Sequence, residues 1–98
     1  MQNFNKNGLN GSEGKRRDRM SIMADILNTV PARKTRIMYR CNLSFKQLNG
    51  YLESMVVEFG LLEIDKNGGS SNIYKPTPKS KRFLTNYMEI KQLLTPGN

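Results

Sequence analysis

The chain has 98 residues and a formal charge of +8, because sixteen Lys and Arg outnumber eight Asp and Glu. This length suits one small domain. A basic excess of this size attracts polyanions and favours nucleic acid as a partner, although a solvated positive surface would have the same composition. Histidine is absent and Cys41 is the single cysteine, so the commonest general base, a disulfide framework and a thiolate metal site are excluded. We predict no enzyme, no cofactor and no metal centre.

No apolar run is long enough for a transmembrane span, and the N-terminus lacks the apolar core of a signal peptide. We therefore expect a soluble, cytoplasmic protein with no membrane partner and no small-molecule ligand. Only 37% of the residues are hydrophobic. The core of a monomer would be thin, and dimerisation would help to stabilise it.

The N-terminal part of the chain is predicted to be a tail followed by a helix. Residues 1–14 are rich in Asn and Gly and are predicted to be disordered. The next residues, Lys15-Arg16-Arg17, could touch phosphate as a flexible arm. The first predicted helix begins near Arg16 or Arg17 and ends near Thr29, before Pro31. Its apolar face, at helical spacing, comprises Met20, Ile22, Met23, Ile26, Leu27 and Val30.

A second, short helix is predicted over 36–41, with Thr35 as its cap. Its inward face is Ile37, Met38 and Cys41. Arg36 and Arg40 are four residues apart on the outer surface, where like charges repel each other unless a partner binds them. Asn42 follows and suits the left-handed conformation of a tight turn.

The third predicted helix has the clearest start signal in the chain. Ser44 stands at the N-cap position and Gln47 follows three residues later, which is the spacing of a capping box. Leu43 and Leu48 have the spacing of a hydrophobic staple, which fixes the angle at which the chain enters the helix. Two helices joined by a tight turn, the second rigidly aimed, are typical of a helix-turn-helix that places a helix in a DNA groove.

The third helix is predicted to continue from the Ser44 cap to Phe59, and Gly60 is the expected left-handed residue at its exit. Its predicted core face is Phe45, Leu48, Leu52, Met55, Val56 and Phe59.

A two-stranded wing is predicted next. Residues 61–65 read as a strand, 66–71 as a turn with an Asn-Gly signal, and 72–76 as the returning strand. Pro76 cannot donate a hydrogen bond to a neighbouring strand, so we expect the returning strand at an edge of the sheet.

The last predicted helix begins with Thr77 as cap and Pro78 at its first position, and it ends near Leu94. The element order predicts an α+β, mostly α, winged helix-turn-helix with three helices, a two-stranded wing and a C-terminal helix. We assign 15–77 to the winged-helix domain, 78–94 to the C-terminal helix and 95–98 to a tail.

Several segments carry a family resemblance: I-M-A-D-I-L (22–27), K-T-R-I-M-Y-R-C-N-L-S-F-K-Q-L (34–48), Y-L (51–52), F-G-L-L (59–62) and K-R-F-L (81–84). Through them, the segment from Arg17 to Leu94 resembles the small archaeal winged-helix DNA-binding proteins. The resemblance implies a transcriptional regulator or a chromatin-type, nucleoid-associated binder of double-stranded DNA, often dimeric through an antiparallel last helix. The chain departs from the family at Pro76, where an aliphatic residue is usual, and in its long Gly/Ser-rich wing turn.

Candidates for reading bases lie at the start of the third helix, because N-terminal residues of a recognition helix reach base edges. They are Ser44, Lys46, Gln47, Asn49 and Gly50. Lys46 can donate to guanine and Gln47 can pair with adenine, although Lys46 could be a solvated surface residue and the capping box could occupy Gln47. Gly50 costs the helix about 1 kcal/mol relative to alanine, which favours a close approach of the backbone to DNA. Glu53 and Glu58 would mark the limit of the contact face.

Candidates for phosphate contacts are the basic residues of the arm, the second helix and the wing. They are Arg16, Arg17, Arg33, Lys34, Arg36, Arg40, Lys66 and Lys75. Such contacts position a protein on the duplex without reading its sequence.

The last helix carries an apolar seam at alternating four- and three-residue spacing, formed by Phe83, Tyr87, Ile90 and Leu94. This spacing predicts a homodimer through a short coiled coil. Alternatively, Phe83 and Leu84 pack on the core of the monomer and the rest of the helix frays.

Two further classes of function are open to this sequence. A protein–protein module in a transcription-related assembly would account for Glu53 and Glu58 on the third helix. RNA binding through the basic face, without groove readout, would account for the charge.

Overall fold

The computed structural model describes residues 18–66, 69 and 71–96. Its elements in chain order are helix α1 (Arg19–Leu27), strand β1 (Ala32–Arg33), helix α2 (Lys34–Cys41), helix α3 (Phe45–Glu53) with a π-helical continuation (Ser54–Glu58), strands β2 (Leu62–Asp65) and β3 (Ile73–Pro76), and helix α4 (Pro78–Leu94). The fold class is the predicted winged helix-turn-helix. The predicted tail 1–14, Arg16, Arg17 and the Asn67-Gly68 turn signal lie outside the described residues.

Helix α1 is shorter than predicted at both ends. Asp18 is its N-cap, and the Asp18 carboxylate accepts a hydrogen bond from the backbone N–H of Ser21 at 2.8 Å. The helix ends at Leu27, and the backbone N–H groups of Thr29 and Val30 both donate to the carbonyl of Ile26. These bonds close the last turn before Pro31.

Helix α2 begins two residues earlier than predicted. Its N-cap position is Arg33, which makes no side-chain capping bond, and Thr35 lies inside the first turn. The prediction of Thr35 as cap was therefore wrong. Arg33 is extended (φ −84°, ψ 163°) because it is also the last residue of β1, so the chain passes directly from strand to helix.

The turn between α2 and α3 has the predicted geometry. Asn42 is left-handed, with φ 56° and ψ 53°. The capping box is complete: the backbone N–H of Gln47 donates to Ser44 Oγ at 3.1 Å, and the backbone N–H of Ser44 donates to Gln47 Oε1 at 2.9 Å. Leu43 and Leu48, the predicted staple, are both buried in one core cluster. Cap and core together fix the direction of α3.

The third helix changes form after Glu53. Its last turn is π-helical, and the N–H of Phe59 donates to the carbonyl of Ser54 at 2.9 Å. A π-turn holds more residues than an α-turn, so the positions after it leave the helical core stripe. Phe59 is accordingly 36% exposed, and its predicted place in the core was wrong. Gly60 has the predicted left-handed backbone, with φ +64°.

Phe45 was also wrongly predicted to lie in the core. Its side chain is 59% exposed, whereas Leu48, one turn later, is fully buried. The core thus begins one turn inside α3, and the ring of Phe45 lies beyond its edge.

The wing belongs to a three-stranded antiparallel sheet with the order β1-β3-β2. Strand β3 is therefore central, and its predicted edge position was wrong. The two residues of β1 pair only with Ile73 and Tyr74, so Pro76 has no partner on that side and pairs with Leu62 on the other. A proline is tolerated in this central strand because β1 ends before it reaches Pro76, so no hydrogen bond to β1 is lost through the missing N–H.

Helix α4 starts at Pro78 as predicted, but Thr77 does not cap it through its side chain. The Thr77 hydroxyl instead donates to the carbonyl of Gly60 at 2.6 Å, and Lys79 Nζ donates to the carbonyl of Phe59 at 2.7 Å. These two bonds attach the start of α4 to the exit of the third helix. Phe83 and Leu84 then pack against the core.

The core lies between the three N-terminal helices and the sheet. Its buried members are Met23, Ile26, Leu27, Ala32, Ile37, Cys41, Leu43, Leu48, Leu52, Met55, Leu61, Leu62 and Tyr74. Among the residues that the structure describes, none of the helices has both the length and the apolar character of a membrane span.

Candidate nucleic-acid interface

The N-terminal half of α3 presents an open polar surface. Leu48 and Leu52 hold one side of the helix in the core, while Lys46, Gln47 and Gly50 are exposed on the other. Ser44 is exposed and Asn49 is half-buried, so all five base-reading candidates lie on one short segment.

A concavity of about 470 Å³ lies beside this surface and is lined by Arg19, Lys46, Gln47, Gly50, Tyr51 and Ser54. A Cβ atom added at Gly50 would meet no atom within 4 Å. The packing of the described residues therefore gives no reason for a glycine at this position.

The side-chain amide of Gln47 already makes one hydrogen bond within the protein. Its Oε1 accepts the capping hydrogen bond from Ser44, which leaves the NH₂ group and one lone pair of the oxygen for another partner. A bidentate pair with adenine needs both the oxygen and the nitrogen of the amide. While the capping box is intact, Gln47 can donate to a base through its NH₂ group, and in an adenine pair its oxygen would be shared with the cap.

The outer face of α2 is basic and lies next to α3 in the fold. Ile37 and Cys41 are buried, whereas Arg36 and Arg40 are exposed. Neither guanidinium forms an ion pair within the described part of the chain. The like charges predicted from the sequence thus remain uncompensated by the described carboxylates, as expected of a surface that binds an anion.

The wing and the start of α2 add further basic groups. Arg33 and Lys34 line a cavity of about 350 Å³ together with Ser71 and Asn72 of the wing. Lys66 is exposed at the end of β2. Lys75 instead forms a salt bridge with Asp65 on the neighbouring strand, at 3.3 Å. Of the wing lysines, Lys66 is therefore the better placed for phosphate.

Three residues of this surface were given no such role by sequence reasoning. Arg19 lies 5.9 Å from the ring centroid of Tyr51 and lines the concavity beside Gly50. Tyr39 is 81% exposed between the two arginines of α2, and its spacing from Arg36 places it on the same outward side. Phe45 is exposed at the first position of α3.

The apolar seam of α4 divides into two parts. Phe83 packs against the core and stacks on Tyr87, with ring centroids 6.2 Å apart. Ile90 and Leu94 are 47% and 77% exposed. Of the four seam residues, only Phe83 therefore packs directly against the core of the monomer.

The family model described as winged helix-turn-helix matches residues 16–95, and the chain belongs to this family. Among solved structures, the chain is similar to Sso10a-2, a DNA-binding protein from Sulfolobus solfataricus, with a TM-score of 0.70 and 29% sequence identity. The likeness covers 79% of this chain and 81% of that one. No curated protein matches the chain.

Proposed function

We propose that this protein binds double-stranded DNA, with α3 in the major groove and with α2 and the wing on the phosphates. The observation that carries the proposal is the open polar surface of α3 beside the uncompensated arginines of α2. A capped helix with its N-terminal residues exposed is the geometry that reads base edges. The similarity to Sso10a-2, which is described as DNA-binding, supports the same function.

Ser44, Lys46, Gln47, Asn49 and Gly50 form the base-facing set in this proposal. Lys46 donates to guanine acceptors, and Gln47 donates through its free NH₂ group while its oxygen keeps the cap. Gly50 lets the backbone of α3 approach the duplex. Glu53 and Glu58 are exposed and mark the limit of this surface, because carboxylates repel phosphate.

Six described basic residues form the phosphate-facing set: Arg33, Lys34, Arg36, Arg40, Lys66 and Lys75. Lys75 must exchange its bond to Asp65 for phosphate, so its contribution is the smallest of the six. These residues position the helix and supply the salt-dependent part of the affinity.

In the cell, we propose, the protein acts as a transcriptional regulator or a chromatin-type protein on the nucleoid. We further propose that residues 15–77 form the DNA-binding domain. The protein acts as a homodimer in which the C-terminal end of α4 pairs with that of a second copy. Support comes from the apolar side chains that α4 exposes beyond the core, Met88, Ile90, Leu93 and Leu94. Burial against a second copy would remove them from water.

If the protein is a dimer, light scattering at micromolar concentration should give a molar mass of twice 11.2 kDa. The double variant Ile90→Glu, Leu94→Glu should be monomeric, because it places paired carboxylates in the interface. A mass of 11.2 kDa for the unchanged protein would contradict the dimer and would leave the DNA-binding proposal intact.

Gly50→Ala tests the DNA-binding proposal through two opposite effects. The free energy of unfolding should rise by up to about 1 kcal/mol, because alanine favours the helix and its Cβ meets no atom of the described residues within 4 Å. Duplex affinity should fall, because the methyl group separates the helix backbone from the bases. Chemical denaturation and fluorescence anisotropy with a labelled duplex measure the two effects.

Thr85→Ala is the matched control, since residue 85 is exposed on α4, a helix that carries none of the proposed DNA contacts. It should raise stability without changing duplex affinity. Equal duplex binding by Gly50→Ala and the unchanged protein would contradict the placement of α3. Preference for a structured RNA at equal salt would favour the RNA-binding function, and binding to neither nucleic acid would favour the protein–protein module.

A further inference from the structure

Within the part of the chain that the structure describes, core packing does not account for the ring of Phe45. It is 59% exposed at the first position of α3 and belongs neither to the core nor to the partly buried residues packed around it. Aromatic residues are also less favourable in helices than many polar ones. A single exposed apolar residue is common on protein surfaces; the informative feature here is its place at the tip of the helix proposed to enter the groove.

The ring is held in position by a neighbouring charge. Lys34 Nζ lies 5.2 Å from its centroid, within the range of a cation–π interaction. Lys34 is the first residue of α2 and Phe45 is the first of α3. The contact therefore joins the start of the basic helix α2 to the start of α3. A side chain that is already oriented loses less conformational entropy on binding.

We propose that Phe45 recognises thymine, through contact between its ring and the 5-methyl group in the major groove. This inference rests on the proposed function, because it requires α3 in that groove. Guanine, adenine and cytosine present hydrogen-bond donors and acceptors there, whereas thymine also presents a methyl group, for which phenylalanine is a suitable apolar partner. Lys46, the next residue, reads acceptors, so adjacent positions distinguish two different base chemistries.

The test compares two duplexes that differ only in this methyl group. One is an alternating A·T duplex, and the other carries deoxyuridine in place of every thymidine. Affinities are measured by anisotropy for the unchanged protein, Phe45→Ala, Phe45→Leu and the control Val57→Ala, whose side chain is 74% exposed near the far end of the third helix. Thermal denaturation of each variant checks that it is folded.

The unchanged protein should bind the uridine duplex at least about fourfold more weakly, which corresponds to one buried methyl group at ~0.8 kcal/mol. Phe45→Ala should abolish the difference between the duplexes, Phe45→Leu should retain part of it, and Val57→Ala should retain all of it. Because every protein meets the same two duplexes, any change in DNA shape caused by uridine cancels in this comparison.

Equal affinity of the unchanged protein for both duplexes would overturn the inference, and so would a full difference in Phe45→Ala. In both cases DNA is still bound, so only the role of Phe45 is lost. Failure to bind any duplex would instead remove the proposed function and the inference with it.

Discussion

Replacing Leu48 by alanine should lower the free energy of unfolding by about 3 kcal/mol, within the range for buried leucines. Leu48 is fully buried and lies one turn after the N-cap Ser44, where it anchors α3 in the core. Its removal loses apolar burial and leaves a cavity that a close-packed core fills only in part. Urea denaturation followed by circular dichroism measures the loss.

Val57→Ala is the control for this prediction, because it removes apolar atoms from a side chain that is 74% exposed on the third helix and belongs to neither proposed interface. Its effect should stay within about 0.5 kcal/mol, as for most surface substitutions. A loss at position 48 no larger than at position 57 would contradict the packing of α3 in the core.

Affinity for duplex DNA should fall about a thousandfold between 50 and 200 mM salt, because the bound protein releases counterions from roughly six phosphates. The expected slope of log affinity against log salt is about −5, from ~0.9 per phosphate. Arg33, Lys34, Arg36, Arg40, Lys66 and Lys75 are the six residues concerned. Anisotropy titrations at four or more salt concentrations give the slope.

The double variant Arg36→Gln, Arg40→Gln should reduce the slope by about 2, because two phosphate contacts are lost. Lys91→Gln is the charge control: Lys91 lies over the ring of Tyr87 on α4, 5.7 Å from its centroid, and its loss should leave the slope unchanged. A slope near zero for the unchanged protein would exclude phosphate binding as the source of affinity.

Local chemistry explains which parts of the fold were predictable. The capping box of Ser44 and Gln47, the left-handed Asn42 and the exit at Gly60 each depend on a few neighbouring residues, and all were predicted. Strand β1 has two residues, too few for any periodic signal, and its pairing with β3 depends on a distant part of the chain. Without β1, the central position of β3 in the sheet could not be inferred.

The exposed Phe45 shows why helical spacing misplaced part of the candidate site. Phe45 stands three residues before Leu48, so its spacing matches the core stripe. Periodicity gives the side of a helix on which a residue lies, but it does not show where the core ends along the helix axis. The bond between Lys75 and Asp65 was likewise hidden, because their register depends on how the two wing strands pair.

The most direct test of the central claim, that α3 and α2 contact duplex DNA, is a titration of ¹⁵N-labelled protein with duplex, followed by amide chemical shifts. We expect the largest changes over residues 33–50, and small changes over 88–94 at the exposed end of α4. Changes concentrated around Met20, Phe59 and Phe83, which line a separate cavity, with residues 44–50 unaffected, would contradict this claim.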